Sequence, residues 1–407
     1  METQQFNILN QVPPLGNSHH ELRVKAREFA KKYIKPVSLE HDINQTVPWD
    51  VLKAAAREGF YTVDFFTELA LDPTGLSAAV VAEEFGYADA GIGLTLLYPA
   101  LPLTTLYLTA TPNQLQKILP GILGDANSPK IISLAASEPE AGSDVSAYKT
   151  TAVKQSDGTW LLNGVKRWAG NAPDASIILI VASLDPSLGS KAQLVFILDP
   201  KLKGVSIDKS MDKLGLRAMK HADIILKNVV LPASSLLGDE TKQLARIYDP
   251  EKSALPVSMQ TFTATRALVA AMAVGVAASA VDAAVEYAKN RSTFSKAIIE
   301  HQQVAAEIAD MITKVQAARS LVYKACLMQS QLIPMTQQEG SQAKLFAAKM
   351  VIEVTYSALQ IAGGLGFTQN LVLEQKYRDA PIFGIFEGTN EIQKLLITSA
   401  VAGKKIR

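Results

Sequence analysis

"GTWLLNGVKRWAGNAPDASIILIVASL" runs from Gly158 to Leu184, and its texture decides the fold. Two apolar, β-branched runs are separated by Asn-Ala-Pro-Asp, and the first is entered through Asp157-Gly158, which is how strands joined by turns read. The runs "AQLVFILDP" (192–200), "GVSIDK" (204–209) and "ADIILKNVVLP" (222–232) have the same character. Outward from this block the texture changes on both sides. Upstream, "ELRVKAREFAKKYIKPV" (21–37), "WDVLKAAAREGF" (49–60) and "NQLQKILPGIL" (113–123) place apolar residues at three- and four-residue steps. Downstream, the Ala-rich run 264–294, the amphipathic 301–332 and 339–367 read as long helices with small residues on one side, as close-packed bundles require. The expectation is an α+β chain, mostly α. It comprises an N-terminal helical domain (1–129), a middle antiparallel, β-barrel-like domain (130–245) and a C-terminal four-helix bundle (246–407).

Composition narrows the function. The 407 residues are 48% hydrophobic and 19% charged, ordinary for a globular protein. Lys plus Arg number 40 against 39 Asp plus Glu, so no global charge draws the chain to nucleic acid. The single cysteine, Cys326, cannot form an internal disulfide and sits among apolar neighbours, a packed thiol in a reducing compartment. The first residues show no secretion or organelle pattern, and charges or hydroxyls interrupt the apolar runs before 18 residues. A cytoplasmic protein without a membrane span is expected. None of the five histidines stands at metal-site spacing from a second ligand, so no metal is expected.

Four stretches bear on chemistry. "SEPEAGSD" (137–144) lies where helical texture gives way to strands and offers hydroxyls on turns. "KRWAGN" (166–171) sets Trp168 among small residues at a strand end, either as core packing or as a wall for a planar ring. "GGLG" (363–366) follows a helix, so it reads as a helix end near Ala362, with glycines that also let backbone approach a ligand. In "IFEGTNEIQKLL" (385–396) an acid, Glu387, is embedded beside aromatics and followed by glycine. A helix-terminal acid favoured by the macrodipole would account for Glu391 but not for Glu387.

Together with "RSTFSKAIIEHQ" (291–302) and "YRDAPIFGIFEGTNEIQ" (377–393), these motifs, in this order, resemble the acyl-CoA dehydrogenase family from about residue 20 onward. The resemblance implies an FAD enzyme that dehydrogenates an acyl thioester at the α,β-carbons and passes electrons to an electron-transfer flavoprotein. Glu387 matches the catalytic base. Ile382, Phe383, Ile385 and Phe386 are expected to dry its surroundings and raise its pKa, and Gly388 to let backbone amides turn toward the thioester oxygen. Ser137, Ser143, Trp168 and Gly170 match positions around the flavin and its phosphate. Arg291, Phe294, Gln302, Gln360, Gly363 and Gly364 match positions that reach a neighbouring subunit's FAD, with Thr389 and Glu391 near its adenosine or diphosphate. The shared site implies at least a homodimer, and by resemblance a homotetramer. Arg266 matches a substrate-binding arginine. Two departures stand out. Gly170 replaces the usual threonine, a version similar to some acyl-CoA oxidases, which leaves dioxygen as an alternative acceptor. Thr263 replaces a usual aspartate, which leaves an acyl or aminoacyl carrier protein as an alternative to CoA.

Overall fold

The computed structural model describes residues 15–248, 257–330, 338–404 and 406. Its N-terminal region is helical: α1 (Asn17–Phe29), α2 (Ser38–Asn44), α3 (Trp49–Arg57), α4 (Val63–Leu71), α5 (Leu76–Ala88), α6 (Ala90–Leu97), α7 (Ala100–Thr109) and α8 (Pro112–Ile118). Local chemistry sets several of these boundaries. The Thr62 hydroxyl caps α4 by accepting from the Phe65 amide, and Asp89 does the same for α6 at Ile92. Thr111 and Gln114 form a reciprocal capping box around Pro112 at the start of α8.

The middle region holds β1 (Ile131–Ala135), β2 (Thr151–Lys154), β3 (Trp160–Gly170), β4 (Ala175–Ser183), β5 (Gln193–Leu198), β6 (Val205–Ile207) and β7 (His221–Leu231). They form one sheet in the order β1-β4-β2-β3-β7-β6, with β5 pairing to β4. The sheet is open, and it is mixed rather than wholly antiparallel, because β1 and β4 run parallel. Closure is unnecessary because one face is covered by helices. Along β4, Ile178, Ile180 and Ala182 enter the sheet's own core with Trp160 and Phe196, while Leu179 and Val181 join the helical core. A strand buried on both faces reads as an unbroken apolar run, which is the form of "ASIILIVASL".

After α9 (Glu240–Tyr248) the C-terminal region contains α10 (Val257–Asn290), the hairpin β8 (Ser292–Thr293) and β9 (Lys296–Ala297), α11 (Gln302–Ser330), α12 (Gln338–Gly366), α13 (Leu373–Asp379) and α14 (Asn390–Ala402). Helices α10, α11 and α12 pack on one another, and α14 lies along α12. Helix α12 breaks at Gly363, which has φ 58° and ψ −139°, so its continuous run ends at Ala362 as the sequence suggests, before a further turn to Gly366. The two helical regions share a single core, joined where α5 crosses α10. A methyl group on Gly275 would lie 2.0 Å from the Glu83 carbonyl oxygen, and one on Gly86 2.5 Å from that of Met272. Backbone therefore rests on backbone at this crossing.

Ala90–Thr109, Thr265–Asn290 and Gln338–Gly366 are each long and apolar enough to cross a membrane by length and composition, contrary to the expectation from sequence. Small hydroxyl residues interrupt hydropathy less than assumed. The protein's own interior accounts for much of this apolar surface, with 83% of the apolar window in the second stretch buried.

Candidate active site

The acid loop is anchored before it begins. On α13, the Lys376 ammonium donates to the carbonyls of Gly86, Tyr87 and Ala88 at 3.0–3.2 Å, and Arg378 pairs with Asp42 and Glu374. Asp379 accepts from the Leu216 amide at 2.7 Å. The N-terminal helices, a loop of the sheet and the bundle thus converge just ahead of Glu387. Phe383 is buried and packs edge-to-face on Phe386 at 5.4 Å. Ile382 and Phe386 are half-buried, but Ile385 is 59% exposed and does not shield the acid as expected. The chain leaves helical spacing at Gly384, which turns Ile385 outward.

Glu387 itself adopts φ 55°, followed by Gly388 at φ 88°. A non-glycine residue in this left-handed region costs about 1–3 kcal/mol and persists where surrounding contacts over-determine it. Those contacts are present. The Thr265 hydroxyl donates to Glu387 Oε2 at 2.9 Å, Gln393 Nε2 donates to the carbonyls of Glu387 (3.1 Å) and Gly388 (2.9 Å), and Lys344 Nζ donates to the Gly388 carbonyl at 2.7 Å. The residue as a whole is half-buried, and its carboxyl lies deep among protein atoms. Burial pushes that carboxyl up to about 7, against the opposing pull of the Thr265 hydroxyl and the positive charges of Arg266 and Lys344. Arg266 is itself buried, which lowers its pKa, and its Nη1 lies 3.5 Å from Ser341 Oγ. The Thr263 side chain lies outside the described residues.

The sheet contributes a second surface. Glu138, inside "SEPEAGSD", receives the amides of Lys149 (2.6 Å) and Thr150 (3.1 Å) and the buried ammonium of Lys166 (2.7 Å), which fixes the loop that displays Ser137 and Ser143. Ser137 is half-buried and Ser143 exposed. The β3–β7 register shifts between Lys166 and Ala169, and at this bulge Trp168 takes φ 61° and leaves its indole 59% exposed. It is therefore not core packing. The glycine at 170 does not leave an open edge: a methyl there would come within 2.6 Å of Met219 Cε and 2.8 Å of Tyr98 Cε2. The Tyr98 hydroxyl lies 3.3 Å from the Leu134 carbonyl, and the Glu387 charge reaches it. Tyr98 thus stands between the acid and the end of β3.

The remaining expected residues face outward. Arg291, Phe294, Gln302, Gln360, Gly363 and Gly364 are exposed, and nothing lies within 4 Å of a methyl placed on either glycine. Among the described residues Arg291 makes no ion pair. Thr389 caps α14 by accepting from the Ile392 amide, and Glu391 is exposed, 3.8 Å from Lys394. An exposed indole, two hydroxyls, a guanidinium without a carboxylate partner and open glycine backbone suit the flat ring and diphosphate of FAD, so the residues present fit that group. Thr265, Lys344, Gln393, Tyr98 and the Glu138–Lys166 pair are additions that motif reading missed. A lysine inside the alanine-rich "SQAKLFAAKM" was the one available signal.

Comparison with known proteins agrees with this geometry. The N-terminal, middle and C-terminal domains of acyl-CoA dehydrogenases match residues 16–125, 133–229 and 255–402. The chain belongs to the acyl-CoA dehydrogenase family of oxidoreductases, whose members are FAD flavoproteins. It is 36% identical to a 3-(aryl)acrylate reductase of Clostridium sporogenes over 94% of this chain and 97% of that one. It is 33% identical to the CarC subunit of the caffeyl-CoA reductase-Etf complex of Acetobacterium woodii, covering 94% and 98%. The structure of butyryl-CoA dehydrogenase from Megasphaera elsdenii superposes with a TM-score of 0.85 at 30% identity, covering 96% and 100%.

Proposed function

We propose that this protein interconverts a short acyl thioester, such as an acyl-CoA, and its α,β-unsaturated form, with Glu387 exchanging the α-proton. The observation that carries the reading is the enclosed Glu387 carboxyl on its left-handed turn, with proton affinity near neutrality. A base works best when its pKa lies near the working pH. Thr265 aims the carboxylate, and Arg266 and Lys344 favour its ionised form. The half-buried Ile382 and Phe386 exclude water from the same space. Gly388, by accepting a positive φ, turns the loop so that its amide can meet the thioester oxygen as charge develops there. Trp168, Ser137 and Ser143, with Arg291, Phe294, Gln302, Gln360, Gly363 and Gly364 of a second copy, would hold FAD, which would supply a hydride acceptor for the β-carbon.

The acceptor we propose is an electron-transfer flavoprotein, in keeping with the Etf complex to which the A. woodii relative belongs. The filled space beside Gly170 favours this acceptor over dioxygen. Relatives named as reductases and as dehydrogenases fit one site, because a residue that removes the α-proton in one direction returns it in the other. The cytoplasm is the proposed location, in keeping with the buried, unpaired Cys326. Anaerobic bleaching of the yellow holoenzyme by butyryl-CoA tests the reading. Bleaching is expected in the wild type and not in Glu387→Gln; equal rates in the two would remove Glu387 as the base.

A further inference from the structure

Lys344 is 1% exposed on α12, and its neighbours Ala343, Ala347 and Ala348 are buried apolar residues. Beside it lies a narrow gap lined by Val269, Ala270, Ala273, Ala348 and Phe383, too tight for water. An ammonium in such a place is costly unless its partners compensate. Among the described residues its hydrogen-bond partner is the Gly388 carbonyl, and no carboxylate lies within ion-pair distance. The nearest negative charges that act on it are Glu387 and Glu391. A buried cation aimed at the carbonyl one residue beyond the proposed base is a poor way to build a core.

The peptide plane shows what the arrangement achieves. Across a trans peptide the C=O and N–H point in opposite directions. The Glu387 carbonyl is drawn to Gln393, and the Gly388 carbonyl to both Gln393 and Lys344. The amides of Gly388 and Thr389 are therefore turned to the other side, and among the described residues neither donates a hydrogen bond. The groups that face the Glu387 carboxyl are Thr265 and Arg266 from α10, Lys344 from α12 and, from the N-terminal helices, Tyr98; Glu391 on α14 faces Lys344.

We infer that Lys344 is a positioning residue for the base: by holding the Gly388 carbonyl it fixes the left-handed turn that presents the Glu387 carboxyl, and its charge favours the ionised carboxylate. The inference rests on Glu387 being the base. With the charge gone, Glu387 holds its proton to higher pH, so proton removal weakens on the acid side. With the carbonyl released, the turn that presents the carboxyl loosens at every pH.

The test uses the FAD-loaded enzyme with Lys344→Gln, Lys344→Met and Lys344→Arg, following bleaching by butyryl-CoA from pH 5 to 9. In both neutral variants the acid limb is expected to move up by about one pH unit. The plateau rate is expected to fall roughly tenfold or more with KM changed less than threefold. Lys344→Arg, which keeps the charge, is expected to restore the limb. A second readout needs no turnover: infrared titration of the Glu387 carboxyl, identified by its loss in Glu387→Gln, is expected to show the same upward shift in Lys344→Gln. An unmoved limb and an unmoved carboxyl titration in either neutral variant overturn the proposal. A wild type that does not bleach, yet whose carboxyl still responds to Lys344, overturns the proposed reaction and leaves the electrostatic coupling standing.

Discussion

Two turns in this molecule adopt the same unusual backbone and use it in opposite ways. At the acid loop, Glu387 and Gly388 have φ 55° and 88°; at the tip of the β8–β9 hairpin, Phe294 and Ser295 have φ 50° and 65°. The first turn is gripped by Thr265, Lys344 and Gln393, from three different helices. The second is held by its own pairing of Thr293 with Lys296 and by the Phe294–His301 ring contact at 6.0 Å, and Phe294 is 92% exposed. A two-residue hairpin prefers positive φ at both central positions because that matches strand twist, so the second turn needs no outside support. A strained turn gripped from within takes its shape from its own chain. A self-supporting turn that displays an apolar ring beside Arg291 has work only against another surface.

Substitutions can break or sharpen this contrast. Glu387→Gln is expected to lower the bleaching rate by roughly 10²–10⁴-fold, whatever the protein concentration. A loss that disappeared on dilution or concentration would tie the acid to assembly instead. Thr265→Val removes a hydrogen bond that favours the ionised carboxylate, so Glu387 is expected to titrate higher. Its rate should fall about tenfold near pH 6 and little at pH 9, as read from the pH profile. A uniform loss across pH would show that Thr265 acts only by packing.

The same acid should carry a stability cost with a defined sign. Burial raises Glu387 from 4.5 to about 7, so between those values the folded chain holds a proton that the unfolded chain has released. Stability contributed by this group is present below pH 4.5, falls as pH rises through the window and stays low above 7. Glu387→Gln is therefore expected to be more stable than the wild type by about 1–2 kcal/mol at pH 8, allowing for the partial exposure of the residue, with the difference vanishing near pH 4.5. Thermal melts at the two pH values decide it. At the other turn, Phe294→Ala is expected to change the stability of the isolated fold by less than about 0.5 kcal/mol. It should loosen FAD and shift the mass distribution toward smaller species in sedimentation. Unchanged FAD retention and mass would mean that the outward turn has no partner.

Much of this was readable from the chain alone, and the remainder divides by cause. The acid in "IFEGT" announces itself because a carboxylate beside aromatics is locally costly, and the strand runs announce themselves by β-branched residues between turn formers. The parallel pairing of β1 with β4 did not, since strand direction leaves no mark on periodicity. Nor did the groups that hold the acid: Thr265, Lys344 and Gln393 are unremarkable within their own helices and gain meaning only where those helices meet. Gly170 was readable as small but not as crowded, because Tyr98 and Met219, which fill its space, arrive from other segments.

The crossing of α5 and α10 has a consequence for how the chain is made. Gly86 emerges from the ribosome long before Gly275, yet each lies flush against main chain near the other. Until α10 follows, the side of α5 at Glu83 and Gly86 lacks the backbone it packs against, although Phe85 on the same helix already meets Phe29 and Phe60. That side of α5 thus waits through the synthesis of the whole sheet before it is covered, which makes it the surface to watch for chaperone dependence.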